Sequence, residues 1–224
     1  MTTPTDDPDD PGSAGPRRRG RPPVLSRQRI VAAAREVADA EGLDRLTVRR
    51  VADVLGGGQA SLYRHISDRG ELLGLLAHDV AVSLPVGEAP GRSPQAMASY
   101  WQQAHVFLAA HPWAPRIIAG GEYVLPEAAP FAARALEGLA ELGLPGHEAF
   151  RAYRAAWNLM LGHLLNAHPV GHHAARTRGD SRDGGDPGQD GAQDDFLWSL
   201  ERLLQGILAA TAGRPAGGRA GDTP

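Results

Sequence analysis

Apolar residues recur at helical spacing along most of the chain, and no stretch shows the alternation of apolar and polar residues that a half-buried strand requires. The first clear helix is predicted from Ser26, a capping side chain, through Glu41. Gly42 is well placed to end it. The residues on its apolar stripe are Ile30, Ala33, Ala34, Val37 and Ala38.

The next segment predicts two helices joined by a tight turn. Thr47 caps the first helix, whose inward residues are Val48, Val51, Ala52 and Leu55. The triple glycine 56–58 follows, and then a short helix with Leu62 and Ile66 facing inward. Helices that cross steeply need a small residue at the contact and a glycine free to take positive φ in the bend. The spacing of Ala52, Gly56 and Leu62 meets that need and favours a helix-turn-helix over an ordinary helical hairpin.

The remaining pattern predicts six further helices and no sheet. Ser67 is the expected cap of a fourth helix that ends before Pro85, and Ser93-Pro94 is a strong start signal for the fifth. The later helices are expected within 112–121, after Pro126 or Pro130 as far as Leu142, over 147–168, and around Phe196–Leu208. The fold class is therefore all-α with about nine helices.

Glycine- and proline-rich stretches divide this pattern into domains. The expected units are a disordered tail with a basic arm (1–24), a helix-turn-helix domain of the homeodomain-like kind (25–84), a C-terminal helical domain (93–212) with a disordered loop (171–193), and a disordered tail (213–224).

Composition narrows the function. The chain has no cysteine, which excludes disulfides and thiolate chemistry. It has neither an apolar signal core nor an apolar run long enough for a membrane span, so a cytoplasmic protein without membrane contact is expected. Residues 17–69 hold 12 Arg against 6 acidic residues, although the net charge is −3. A basic N-terminal third on an acidic chain is typical of a protein that binds nucleic acid.

The outward face of the short helix has side chains that suit a DNA groove. Gln59 can pair with an adenine edge, Ser61 is a permissive donor or acceptor, and Ala60 can touch a thymine methyl group. Gly58 lets backbone amides approach phosphate closely. The full set of predicted contacts in the two helices comprises Thr47, Gly58, Gln59, Ala60, Ser61, Tyr63, Arg64, His65 and Arg69.

The arm before the first helix adds a second DNA-binding hypothesis. Its arginines are Arg17, Arg18, Arg19 and Arg21, and the run Arg19-Gly20-Arg21-Pro22 has the form of an AT-hook core. A flat Arg-Gly-Arg strip fits the narrow minor groove of A·T-rich DNA. A solubilising basic tail is the other interpretation of this arm.

Three segments resemble the TetR (tetracycline-repressor-like) family of bacterial transcriptional regulators. They are Ile30–Gly42 (IVAAAREVADAEG), Thr47–Leu55 (TVRRVADVL) and Ser61–Leu73 (SLYRHISDRGELL), so the resemblance covers roughly residues 26–76. It implies an all-helical homodimer with a three-helix DNA-binding head and a larger C-terminal domain that binds a small ligand.

The resemblance also implies roles for single residues. Tyr63 and His65 would contact phosphate, and Arg69 stands where the family usually has a phosphate-contacting lysine. Two positions depart from the family pattern: Gly57 replaces the usual apolar turn residue, and Gly70 lies in the first turn of the fourth helix. Glycine costs about 0.5–1 kcal/mol at helical positions, which predicts a looser head.

The C-terminal domain has two helices with wide apolar stripes, 147–167 and 194–211. They predict a homodimer through a four-helix bundle, with packing inside one chain as the alternative. Candidate ligand-binding residues, which suit a core equally well, are Trp101, His105, Trp113, Ile117, Tyr123, Trp157, Asn158 and Met160. A metal site at His163, His168, His172 and His173 is not favoured, because no carboxylates lie nearby at helical spacing. No metal or cofactor is therefore expected.

The leading hypothesis is a repressor that binds a palindromic double-stranded DNA operator as a homodimer and is released by a small, largely apolar ligand. An architectural binder of A/T-rich DNA acting through the Arg17–Arg21 arm is the alternative. An enzyme is disfavoured, since the chain lacks cysteine, paired-carboxylate spacing, an HExxH-type motif and a glycine-rich phosphate loop after a strand.

Overall fold

A computed structural model describes residues 25–87, 90–123, 125–166 and 187–212. Within these ranges the protein has nine α-helices and no strand, as the periodicity predicted. Two short 3-10 turns lie at Leu43–Arg45 and Pro126–Ala128. The helices are α1 (Arg27–Glu41), α2 (Val48–Val54), α3 (Gln59–Leu62), α4 (Arg69–Ser83), α5 (Pro94–Ala109), α6 (Ala114–Ala119), α7 (Ala129–Glu141), α8 (Gly146–Leu165) and α9 (Pro187–Ala212).

Helix α1 follows its sequence signals closely. The Ser26 side chain accepts a hydrogen bond from the Arg29 amide at 3.3 Å, and all five residues of the predicted stripe are buried. Gly42 ends the helix at φ +80°, a conformation that costs an L-residue energy. Both the start and the end predicted for α1 are confirmed.

The turn between α2 and α3 is closed by two backbone hydrogen bonds. The Gly56 amide donates to the Asp53 carbonyl at 3.1 Å, and the Gly57 amide donates to the Ala52 carbonyl at 3.1 Å. With Gly56 at φ +65°, this is a Schellman motif. Ala52 and Leu62 are both buried, so α3 packs across the small side chain on α2, as the spacing predicted.

Helix α3 is shorter than expected, because it ends at Leu62 and residues 63–65 form turns. Ile66 therefore lies outside the helix, yet it remains buried. Leu55 is only partly buried at the end of α2. The inward residues were mostly identified correctly, whereas the helical extent was overestimated.

The predicted cap of α4 was wrong by one residue. Asp68 is the N-cap, and its carboxylate accepts from the Glu71 amide at 2.9 Å. The Ser67 amide donates instead to the Glu71 carboxylate at 2.7 Å, with the Ser67 hydroxyl 3.0 Å from the same oxygen. A carboxylate at the cap complements the partial positive charge of the helix start better than a hydroxyl.

The C-terminal helices form one bundle. Helix α5 packs mainly on α9 and also on α8, while α7 packs on α8. Ser93 caps α5 by accepting from the Ala96 amide at 3.1 Å, with Pro94 in the first helical turn. Helix α4 connects this bundle to the head, since it packs on α1 and also on α6.

The last helix begins earlier than the sequence pattern indicated. Helix α9 starts at Pro187, so the prediction of a disordered loop over 171–193 was wrong for residues 187–193. The segment contains few apolar residues, and helical periodicity cannot be read where nothing apolar marks a face. The expected disorder of 171–186, and of the tails 1–24 and 213–224, concerns residues outside the described ranges.

Candidate nucleic-acid interface

Helix α3 and the turn after it present the predicted DNA-contacting residues to solvent. Leu62 is fully buried and fixes the rotation of this helix about its axis. Ser61 is partly exposed, and Tyr63 is 51% exposed. The remaining predicted residues of this segment are exposed: Gly58, Gln59, Ala60, Arg64 and His65. The structure therefore brings the set together on one surface.

The polar residues on this surface bond to one another. Nε2 of Gln59 donates to the Tyr63 hydroxyl at 3.1 Å, and Nη2 of Arg64 donates to the Ser61 hydroxyl at 3.4 Å. These hydrogen bonds restrict the conformations of the side chains and involve no core residue. Each retains donors or acceptors that a base edge or a phosphate can use.

The helix starts beside this surface are where the sequence predicted them, with Thr47 capping α2 and Gly58 preceding α3. The Thr47 hydroxyl accepts from the Arg50 amide at 3.1 Å, which leaves its own hydrogen for a phosphate oxygen. No side chain caps α3 at Gly58. The backbone at that point is uncovered by a capping side chain and lies beside Gln59.

Arg69 has a structural role that the sequence did not indicate. Its Nε donates to the Leu46 carbonyl at 2.9 Å, and its Nη2 donates to the Leu43 carbonyl at 2.8 Å. These bonds fasten the start of α4 to the 3-10 turn before α2. Three of the five guanidinium N–H donors remain for a phosphate. The distance of over twenty residues between the partners explains why no local pattern revealed the contact.

Ion pairs tie the helices of the head together. Arg50 lies 2.6 Å from the Glu41 carboxylate, and this hydrogen bond lowers the pKa of Glu41 and raises that of Arg50. Glu71 accepts from Ser67, which lowers its pKa, and also pairs with Arg27 at 2.9 Å. Among the ion pairs between described residues, none involves Arg64. The guanidinium of Arg64 is therefore available to a partner outside the chain.

The eight candidate ligand-binding residues fall into three places. Trp101, His105 and Met160 are buried inside the C-terminal bundle, with Trp157 half-buried beside them. Asn158 is exposed on α8, away from that interior. The other three lie near the junction with the head and do not join the interior group: Trp113, Ile117 and Tyr123.

The interior group is an aromatic cluster centred on Trp101. Its ring lies 5.3 Å from that of Phe131, 5.4 Å from Tyr153 and 6.2 Å from Trp157, measured between centroids. Tyr100 stacks on Phe131 at 4.9 Å and donates to its carbonyl at 3.0 Å. Burial raises the pKa of Tyr100 to about 12, so this phenol is neutral at physiological pH.

A histidine pair adjoins the cluster. Nε2 of His105 lies 3.1 Å from Nδ1 of His163, and the His105 ring stacks on Phe196 at 4.3 Å. Burial, with a smaller effect of His163, lowers the pKa of His105 to about 4. His105 is therefore an uncharged polar group inside the bundle at neutral pH. The sequence placed His163 in a disfavoured metal site and missed this pairing.

Several polar contacts between described residues join the head to the bundle. Nε1 of Trp113 donates to the Asp39 carboxylate at 2.5 Å. The Tyr123 hydroxyl donates to the Gly70 carbonyl at 3.3 Å. His78 on α4 lies 3.2 Å from the Glu127 carboxylate. The short Trp113 and Tyr123 contacts were not foreseen, because both residues were assigned to a ligand pocket.

A cleft of about 740 Å³ runs beside α1 and α4 at this junction. Gly74 forms part of its wall. The Tyr123 ring lies close to this glycine, since a Cβ at Gly74 would be 3.3 Å from the ring. The residues lining the cleft are Arg27, Gln28, Val31, Gly70, Glu71, Gly74, Leu75, His78, Asp79 and Tyr123.

The fold and this surface define the class of protein: an all-helical DNA-binding protein with an N-terminal helix-turn-helix. Residues 30–75 match the model of the tetR family of bacterial regulatory proteins. Over this segment the chain matches that family, whose members are transcriptional regulators. The resemblance seen in the sequence is confirmed.

Two relatives of known type match part of the chain. It is 39% identical over 97 residues to the HTH-type transcriptional repressor DrrR1 of Streptomyces coeruleorubidus, across 42% of this chain and 36% of that protein. It is 30% identical over 153 residues to an HTH-type transcriptional regulator of Saccharopolyspora erythraea, across 67% of this chain and 64% of that protein. The matches thus span less than two thirds of either relative.

Solved structures match over more of the chain. The TetR family protein ActR of Streptomyces coelicolor, in complex with actinorhodin, is 26% identical with a TM-score of 0.66 and covers 85% of this chain and 100% of its own. TetR from Acinetobacter baumannii AYE is 25% identical with a TM-score of 0.63, over 84% of this chain and 98% of its own. The likeness extends through the C-terminal bundle.

Two properties of the described residues bear on other classes of site. None of the described helices is long and apolar enough to cross a bilayer. No group of three or more metal-ligating side chains occurs within the described ranges. His168, His172 and His173, weighed above as metal ligands, lie outside those ranges.

Proposed function

We propose that this protein is a ligand-responsive repressor that binds a palindromic operator as a homodimer. The exposed surface of α3 supports the proposal most directly, because Gln59 and Arg64 are ordered there by neighbouring side chains and remain outside the core. A short helix anchored by Leu62 and bordered by uncovered backbone at Gly58 suits insertion into a major groove. Such a protein would act in the cytoplasm, where it meets the chromosome.

The dimer is proposed to form through α8 and α9. Trp198 on α9 is 63% exposed, and Phe150 on α8 is 53% exposed. Large exposed apolar groups of this kind mark interaction surfaces when they lie along one helix face. A Cβ at Gly162 or Gly206 would meet no atom within 4 Å, so each helix also offers a small residue for close approach of a partner. A four-helix bundle across a two-fold axis would cover these residues.

The proposed ligand binds in the C-terminal bundle and changes the separation of the two heads. ActR of Streptomyces coelicolor has been solved with (S)-DNPA and with actinorhodin, which supports a small-molecule site in this chain as well. The Trp113–Asp39 and Tyr123–Gly70 hydrogen bonds connect the bundle directly to the head. A ligand that binds the two head separations unequally would shift the protein between them.

The experiment is a mobility-shift assay with the promoter DNA beside the gene for this protein, followed by random-site selection. We expect a palindromic site whose binding weakens steeply as salt rises, since phosphate contacts release counterions. A shuffled sequence of equal composition is the control. Binding that is insensitive to sequence would contradict the proposal.

Deleting residues 1–23 separates the repressor from the architectural alternative. A repressor should keep its sequence preference with reduced affinity, because base contacts come from α3. An architectural protein acting through Arg17–Arg21 should lose all binding. That arm lies outside the described residues, and its role stays a prediction.

A further inference from the structure

Among the described residues of the C-terminal bundle, two polar atoms are buried without a hydrogen-bond partner. They are Nε1 of Trp101 and Nδ1 of His105, and no described residue accepts from or donates to either. Both side chains are almost fully enclosed, at 0% and 2% exposure. They lie four residues apart on α5, which puts them on the same face of that helix, one turn from each other.

Unpaired polar atoms at such positions are costly. A buried donor or acceptor without a partner loses its hydration and gains nothing in return. Phenylalanine at 101 or 105 would keep an aromatic ring in the cluster and remove that penalty. A core that only had to pack would therefore favour phenylalanine, whereas indole and imidazole nitrogens suit the binding of a molecule with polar groups.

The surroundings of the two atoms restrict the chemistry of that molecule. Rings surround Trp101 at centroid distances of 5.3–6.2 Å, and Phe196 stacks on His105 at 4.3 Å. Burial depresses the pKa of His105 and raises that of Tyr153, so both of these side chains are uncharged at neutral pH. A charged ligand would meet no opposite charge on these two side chains, and burying an unpaired charge is unfavourable.

The cluster reaches the surface along α8. Tyr153 and Trp157 are only partly buried, and their rings are nearly parallel, with centroids 6.3 Å apart. These two rings therefore lie between solvent and the enclosed Trp101. They provide a flat aromatic surface on the way to the unpaired nitrogen atoms.

We propose that the effector is a flat, uncharged aromatic molecule with a carbonyl oxygen that accepts a hydrogen bond from Nε1 of Trp101. A second polar group of the molecule, such as a hydroxyl, pairs with Nδ1 of His105. That nitrogen donates or accepts according to which histidine of the His105–His163 pair holds the shared hydrogen. The inference rests on the proposed ligand response and specifies the ligand class for it.

The test compares two probes of equal shape, 9-fluorenone and fluorene, which differ by a carbonyl in place of a methylene. Binding to the full-length protein is measured by quenching of tryptophan fluorescence. We expect fluorenone to bind about tenfold more tightly, the factor that one buried hydrogen bond confers. Equal affinities, or no binding of fluorenone, would overturn the inference.

Two variants locate the hydrogen bond. Trp101→Phe should erase the preference for fluorenone over fluorene, because the ring remains and the donor is lost. Trp157→Phe is the matched control in the same cluster: it should weaken both probes alike and keep their ratio. A preference that survives Trp101→Phe would contradict the inference, because another group would then be recognising the carbonyl.

A measurement on the unaltered protein covers the case in which Trp101→Phe does not fold. The carbonyl stretching band of bound fluorenone should lie at lower wavenumber than in an aprotic solvent, and an unshifted band would contradict the inference. Operator binding without any probe is assayed separately. Loss of operator binding alone argues against the repressor, whereas failure of the fluorenone tests alone argues against the ligand class.

Discussion

Asp39 of the head and Trp113 of the C-terminal bundle are joined by a hydrogen bond of 2.5 Å, although 74 positions separate them in the chain. His111 approaches the same carboxylate oxygen at 2.8 Å. One carboxylate on α1 thus holds two aromatic side chains of the loop between α5 and α6. This is a direct mechanical link between the part that contacts DNA and the part proposed to bind a ligand.

Trp113→Phe should weaken that link while keeping an aromatic ring in place. The expected loss is about 1–2 kcal/mol in the free energy of unfolding, the usual range for a hydrogen bond to a charged group that is partly exposed. Urea denaturation followed by circular dichroism measures it. Val82→Ala, at an exposed apolar side chain on α4, is the control and should change stability much less. Equal losses in the two variants would contradict the prediction.

The two adjacent turn glycines should respond to alanine in opposite directions. Gly56 has φ +65°, so Gly56→Ala should destabilise the protein by about 1 kcal/mol. Gly57 is not in the left-handed region, and a Cβ there would meet no atom within 4 Å. Gly57→Ala should therefore stabilise by about 0.4–1 kcal/mol through the unfolded chain. Thermal unfolding of the two alanine variants and the natural protein, measured under the same conditions, tests both expectations.

Glu71 should contribute stability that depends on pH. Its pKa in the folded protein lies below the ordinary value of 4.5, mainly because the Ser67 amide donates to it. The contribution is therefore complete above that value and disappears as pH falls through the lower folded pKa. The difference in melting temperature between the natural protein and Glu71→Gln should be constant from pH 7 to about 5 and then shrink.

The matched control for that experiment is Glu141→Gln. Glu141 is an exposed carboxylate 3.9 Å from Arg92, a geometry that contributes little. Its variant should melt like the natural protein across the same pH range. If the Glu71→Gln difference failed to narrow in acid, the Ser67–Glu71 bond would not be the source of the stability.

Arg64→Ala should reduce affinity for the selected operator by about 10- to 100-fold, the effect typical of one lost base contact. Arg92→Ala removes the same charge from an exposed position at the start of the bundle, and it should have little effect. Fluorescence anisotropy with labelled operator and with a scrambled duplex measures both variants. Equal losses on the two duplexes would reassign Arg64 to phosphate contact.

Trp198→Glu should convert the proposed dimer to a monomer, because it puts a charge into the apolar surface proposed to form the interface. Val82→Glu, at a comparably exposed apolar residue on α4, is the control and should leave the mass unchanged. Sedimentation equilibrium at micromolar concentration gives the molecular mass. A dimer that persists in Trp198→Glu would indicate another interface.

Much of the head could be predicted because its signals are local. Helix α1 shows this best, because its capping residue Ser26, its apolar stripe and its terminating residue Gly42 all lie within one short segment. The same holds for Ala52, Gly56 and Leu62, whose spacing is a steric requirement of two crossing helices. The cap of α4 was misplaced because Ser67 and Asp68 are adjacent and both are capping residues.

The sequence by itself determined the helical class, the helix-turn-helix and the surface expected to meet DNA, since each follows from residues within a few turns of one another. Only the tertiary structure decided what Arg69, Trp113 and Tyr123 do, because their partners lie far away in the chain. It also divided the eight ligand candidates among three places. Periodicity shows which residues turn inward, whereas the packing of helices determines which of those residues meet and which polar atoms are left unpaired.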